Sequence, residues 1–255
     1  MVERKLLYRL YAVAWGAIRV CAGMLILMVA LPAGWGGWQA EYWRMRETEK
    51  VDAVVCGKIS GEVYEFSRLY FPFWPEYEGK SSFDSGFVNN NKGCDANLIS
   101  IFLSMTWPGL EPADDNLIFR QGLEHEGLLV AVSPITPRDD FLRIQLDFLL
   151  RSSPKGLIAL AEHDDLSRLN RIEGRDAVFE NHKKLIYWEG DLTRLSSVGY
   201  CKWRPKLPNY YSCEMTYLVS ENILVKVTMR PDKLEQWQDI RRSVDEFLST
   251  SKKTR

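Results

Sequence analysis

The chain opens on an apolar run. Val20 to Trp38 carries no charge, a length close to the ~20 residues that cross a bilayer as a helix. Residues 6–18 are also apolar apart from Arg9, so the run extends backward, with Arg19 placed to snorkel. Trp35, Trp38, Tyr42 and Trp43 stand at its far end, where aromatic rings favour the membrane interface. The pattern predicts a cytoplasmic stretch over 1–18 and a transmembrane helix over 19–39. A cleaved signal peptide is the rival reading. Its one cleavage site, Leu31-Pro32-Ala33, is a poor match to the small-residue pattern, so an uncleaved anchor is favoured.

Past residue 40 the pattern shortens to strand-like runs. Residues 51–57 read as a buried strand, and 63–71 alternate in part. Phe71 to Tyr77 holds Pro72 and Pro75 and cannot be a regular element. Residues 81–93 form a polar loop rich in turn formers, 96–107 a long strand, and 127–134 a nearly continuous apolar strand. A helix follows, with Thr136 as its cap, Pro137 in its first turn, and Asp139 and Asp140 against the dipole. Further on, 215–219 and 223–229 read as strands around the turn Ser220-Glu221-Asn222. Pro231-Asp232 leads into a helix with Leu234, Trp237, Ile240, Val244 and Phe247 on one face.

Residues 128–153 and 223–251 follow the same plan of strand, proline, helix, then Phe-Leu and small polar residues. A duplicated unit accounts for this. The expectation is an α+β protein: the N-terminal transmembrane helix, then two similar lobes over 40–155 and 156–255, each an antiparallel sheet with a packed helix.

Cysteines bear on the compartment. Cys21 lies in the apolar run, and Cys56, Cys94, Cys201 and Cys213 lie beyond it with no C-x-x-C spacing. Four cysteines permit three pairings. Two in each half favour Cys56 with Cys94 and Cys201 with Cys213, and buried free thiols are the alternative. An oxidising compartment allows such bridges. Anchor and cysteines together predict a single-pass inner-membrane protein with its body in the periplasm.

Charge narrows the partners. Lys plus Arg number 33 and Asp plus Glu 34, for a net charge of -1. Arg4, Lys5, Arg9 and Arg19 stand against Glu3 alone in residues 1–38, so the body is slightly acidic. No basic excess is present to neutralise nucleic-acid phosphates.

Catalytic signatures fail on inspection. Gly79-Lys80-Ser81 imitates the end of a phosphate-binding loop, but Trp74 stands where its first glycine belongs. Phe83 takes the place of the first glycine of a nucleophile elbow around Ser85-Gly86. His125, His163 and His182 offer no metal-ligand spacing, and Glu124-His125-Glu126 and His163-Asp164-Asp165 read as solvated loops. No enzyme activity, metal or cofactor is expected. Two clusters of aromatic residues in irregular segments stand out instead: Tyr70, Phe71, Phe73, Trp74 and Tyr77, and Trp203, Tyr210 and Tyr211. Core packing explains them simply. The functional reading is a protein-binding surface, because interfaces are enriched in aromatics. It takes Phe73, Trp74, Tyr77, Trp203, Tyr210 and Tyr211 as contacts, with Arg68 and Arg120 adding charge.

The order of short motifs carries a resemblance. An apolar anchor is followed by Cys56-Gly57, Glu76-Tyr77-Glu78-Gly79-Lys80-Ser81, Lys92-Gly93-Cys94, Trp107-Pro108 and Gly122-Leu123-Glu124-His125-Glu126-Gly127-Leu128. This order resembles the periplasmic immunity proteins of type VI secretion systems, above all those protecting against phospholipase effectors. The final strand, turn, strand and helix with Trp237 is similar to their second domain, and the resemblance covers about residues 52–250. It implies a two-domain α+β inhibitor that binds a toxin enzyme between its domains and neutralises it. A non-enzymatic adaptor of a cell-envelope or secretion machine is the competing class.

Overall fold

Alternate burial along β11 (Ile223–Met229) sets the plan. Ile223, Val225, Val227 and Met229 are buried, while the residues between them are half-exposed. The same period runs through β5 (Leu128–Pro134) and β4 (Leu98–Met105), where Leu128, Val130, Val132, Ile101, Leu103 and Met105 face one core. The computed structural model describes residues 54–80, 84–113, 127–152, 162–164, 168–175, 183–203 and 212–253. The segment expected to cross a membrane, 19–39, lies outside the described residues. Among those described, no helix is long and apolar enough to cross a bilayer.

The remaining elements of the main sheet are β3 (Glu76–Tyr77), β6 (Glu162–Asp164), β7 (Leu169–Arg175), β8 (Lys183–Asp191), β9 (Arg194–Trp203) and β10 (Ser212–Ser220). All pair antiparallel in the order β3-β4-β5-β11-β10-β9-β8-β7-β6. Two meanders, β3 to β5 and β6 to β11, are joined where Val130 faces Val227 and Val132 faces Val225. A separate hairpin precedes them, β1 (Val54–Ile59) with β2 (Glu62–Ser67). Its two-residue turn, Ser60-Gly61, has φ of 51° and 86°, the left-handed pair that suits right-twisted strands and explains the glycine. The chain end adds to this hairpin: Lys253 N–H donates to the Val63 carbonyl at 2.9 Å.

Two helices cover opposite faces. On one, α2 (Trp237–Ser251) buries Trp237, Ile240, Val244 and Leu248 in the core that β1, β2, β4, β5, β10 and β11 share. Trp237 is fully buried, its indole N–H donates to Ser197 Oγ at 3.1 Å, and its ring meets Tyr217 edge-on. Gly199 permits the close approach of β9 and β10, because a Cβ there would sit 2.3 Å from the Glu214 carbonyl oxygen. On the other face, α1 (Phe141–Arg151) sets Leu142, Leu146 and Leu149 against Ile186, Trp188 and Val198 of β8 and β9.

This arrangement corrects the expected α+β protein of two similar lobes. The described chain is mostly β, with two helices, and strands from both expected lobes share one sheet. The two strand-helix stretches pair with each other through β5 and β11, yet their helices lie on opposite faces. They are therefore not two copies of a sheet-plus-helix layer, and a cleft between two separate sheets has no counterpart among the described residues. The first helix also starts later than Thr136. Ile135 N–H donates to the Asn222 carbonyl at 2.9 Å, which ties the chain past β5 to the turn before β11. The helix begins only after Asp140.

Both expected disulfides form, Cys56–Cys94 and Cys201–Cys213, with sequence separations of 38 and 12. Chain-entropy arguments assign loops of these lengths about 4 and about 3 kcal/mol of stability. Alkylation of native protein before reduction should therefore label at most Cys21, and after reduction in denaturant all five cysteines. Labelling of four or more thiols before reduction would contradict these bridges. Replacing both Cys56 and Cys94 by serine should lower the unfolding free energy by about 4 kcal/mol.

Candidate functional site

The aromatic segment after β2 is built by a short cap and two prolines. Ser67 ends β2, and its hydroxyl accepts the Leu69 N–H at 3.3 Å, starting a single 3-10 turn over Arg68–Tyr70. Pro72 and Pro75 then deny the chain a helix or a ladder. Phe71 is fully buried and meets Phe66 of the hairpin edge-on at 6.0 Å, so the loop is pinned at its start. Tyr77 pins its end. It is 7% exposed, and its hydroxyl donates to the Cys56 carbonyl at 2.8 Å beside the disulfide. Burial pushes this phenol up, with a hydrogen bond to the Gly93 backbone opposing.

Between the two pins the loop projects outward. Phe73 is 44% exposed and Trp74 66%. Phe73 meets Phe102 of β4 edge-on, with centroids 6.1 Å apart. Phe102 alternates with Ile101 and Leu103, so it points to the face opposite the α2 core, and it remains 37% exposed. The Arg68 guanidinium lies 4.4 Å from the Trp74 ring centroid. On the side of the sheet that Phe102 faces, α1 adds Ile144 and Phe148, exposed one turn apart. That helix packs on β8 and β9, apart from β4 in the strand order. The exposed aromatic group proper is therefore Phe73, Trp74 and Phe102, and exposed apolar groups that cluster mark interaction surfaces.

Of the aromatic residues singled out by sequence, Phe73 and Trp74 are therefore together and exposed. Tyr77 belongs to the core wall behind them. Trp203 ends β9, and nothing is described of its side chain; Tyr210, Tyr211 and Arg120 lie outside the described residues. Arg68 is not the solvent-facing charge that sequence suggests: it is 5% exposed, and its Nη1 donates to the Phe71 carbonyl at 2.5 Å. Phe102 escaped notice because Ile101-Phe102-Leu103 reads as one apolar run. A strand apolar on both faces is the signal that could have found it.

Polar groups concentrate elsewhere. Glu189 of β8 accepts Ser196 and Ser197 hydroxyls at 2.6 and 3.2 Å and pairs with Arg241 at 3.0 Å. Together with Gln238, Arg242, Asp245 and Glu246 it lines an open cavity of about 390 Å³. A second open cavity of about 420 Å³, with Lys58, Glu78 and Asn97 in its wall, lies by the first hairpin. His163 on β6 is exposed beside Asn170, and His125 and His182 fall outside the described residues. Among the described residues no group of three metal-ligating side chains gathers.

No family model and no curated protein matches the chain. One solved structure does: an immunity protein of the Stenotrophomonas maltophilia type IV secretion system, with 12% identity and a TM-score of 0.51 over 80% of this chain and 94% of that one. At that identity the likeness is one of fold.

The α2 face yields a pH prediction. Asp245 accepts the Tyr217 hydroxyl at 2.9 Å. Burial raises its carboxyl above the ordinary carboxylate range, and the Tyr217 hydrogen bond and Arg241 only partly oppose this. The folded protein therefore binds a proton here more tightly than the unfolded chain. The stability this group contributes is present in acid and declines as pH rises through the raised value. Denaturant titrations across pH should show Asp245→Asn gaining on the wild type from acid to neutral. A gap independent of pH would contradict the raised carboxyl.

Proposed function

We propose that this chain is an immunity protein that neutralises a secreted toxin by binding it one to one. The likeness in fold to an immunity protein, spanning nearly all of that chain, carries the reading. The exposed pair Phe73 and Trp74 with Phe102 supplies a surface for it. Large rigid aromatic groups make good anchors, because their burial gives much contact for little lost freedom.

The finer reading takes the toxin to be a phospholipase-type effector of type VI secretion, as the order of motifs in the sequence implies. It also places the body in the periplasm on a single inner-membrane anchor. The uncharged run Val20 to Trp38 and the two disulfides support that compartment. The fold neighbour is an immunity protein of a type IV system, so the delivery machine is tested together with the toxin. Inhibition by occlusion of the toxin needs no catalytic group on this chain. A secretion-machine adaptor would use the same surface but bind a machine component.

The test is binding of the full chain to the products of genes adjacent to its own, with a lipase first. Trp74→Ala should weaken binding by ~30-fold or more, about 2 kcal/mol, with an unchanged melting temperature, and should abolish protection of cells against the toxin. A lowered melting temperature with intact affinity would return Trp74 to a structural role. Capture of an envelope-machine component, with no protection against any neighbouring toxin, would favour the adaptor.

A further inference from the structure

An exposed tryptophan on a loop without regular structure ordinarily samples several rotamers. Freezing such a side chain on binding costs up to about tenfold in affinity. Trp74 is two-thirds exposed, yet one face of its ring is already covered. The Arg68 guanidinium stacks 4.4 Å from its centroid, and Arg68 is itself held. It is 5% exposed, its Nη1 donates to the Phe71 carbonyl, and it opens the 3-10 turn that Ser67 caps. Phe71, whose carbonyl is gripped, is fully buried against Phe66. A continuous rigid path thus runs from β2 to the indole.

We infer that Arg68 is a positioning residue that presets Trp74 for docking, so that the outer face of the indole receives a flat apolar or aromatic side chain of the toxin. The inference rests on the toxin-binding reading above. Arg68 makes no contact with the partner; it acts through the ring it supports. Its planar fork grips a carbonyl while stacking on an indole, and lysine, a point charge on a flexible stem, does not reproduce both. The occupant is apolar because the open face of the indole, two-thirds exposed and next in sequence to the exposed Phe73, offers hydrophobic area rather than hydrogen-bond partners.

The experiment uses the full chain labelled with 5-fluorotryptophan, whose nine tryptophans report separately by fluorine NMR; Trp74→Phe identifies the Trp74 signal. In Arg68→Lys that signal should move toward the free amino acid's position while the other eight stay. Affinity for the toxin encoded beside this chain should fall about tenfold. Arg68→Met is the second variant. If it fails to fold, seen as loss of dispersion in all nine signals, Arg68→Lys carries the test. A Trp74 signal unmoved in a folded variant overturns the inference, as does a moved signal with unchanged affinity. If Trp74→Ala itself binds as tightly as wild type, the docking surface is wrong and the inference falls with it. The fluorine signal then still tells whether Arg68 orders the ring, which separates the two failures.

Discussion

The pairing of β5 with β11 is the contact on which the rest of this body depends. It joins residues far apart in sequence, Leu129 with Thr228 at one end and Pro134 with Ile223 at the other. Without it the three-stranded meander β3 to β5 would be a small sheet with an open edge, marginal on its own. With it, the apolar residues of β4, β5, β10 and β11 form one surface wide enough for both the first hairpin and α2. The pairing is costly in loop closure and returns its free energy only when the sheet and α2 assemble together. At the centre of that assembly lies Trp237, the largest fully buried side chain among the described residues.

What was legible in the sequence followed from strong local signals. The alternation in 223–229, the turn at Ser220-Glu221-Asn222 and the amphipathic face from Leu234 to Val244 each led to an element that the structure contains. The two cysteines in each expected half led to the two disulfides, although the duplication behind that division did not hold. The strands between residues 162 and 203 were not legible. The sequence pattern assigned no element to Lys183-Lys184 or Glu189-Gly190-Asp191, and Lys184 is buried, with its ammonium on Ser152 Oγ at 2.6 Å. A buried lysine satisfied from another element leaves no trace in local periodicity. The duplication misled for a related reason: strand, proline and helix recur, but nothing local says which face of a shared sheet each helix will cover.

The candidate site was half legible. Two prolines among five aromatics marked residues 71–75 as irregular, but the segment expected to stay irregular through Tyr77 ends in the short strand β3, Glu76–Tyr77, paired with β4. Which rings turn inward and which stay out was decided by contacts that periodicity does not encode: Tyr77 is held in by the Cys56 carbonyl, Phe71 by Phe66, and Trp74 rests on Arg68. Arginine looks like a surface residue in any sequence, and only the fold reveals it as the floor beneath an exposed ring. The sheet therefore contributes a rigid mount more than a pocket, and the two cavities described above are open to solvent.

The first disulfide has a mechanical side. Cys56 is the third residue of β1, and its partner Cys94 lies shortly before β4. Tension arriving at the N-terminal end of β1 meets a covalent bond after two residues and passes toward β4, an inner strand of the nine-stranded sheet. The hairpin's own hydrogen bonds would otherwise take that load one at a time, as a zipper does. Lys253 bonded to Val63 fastens the far side of the same hairpin. A body fastened in this way can be pulled from its leading end without being peeled open strand by strand.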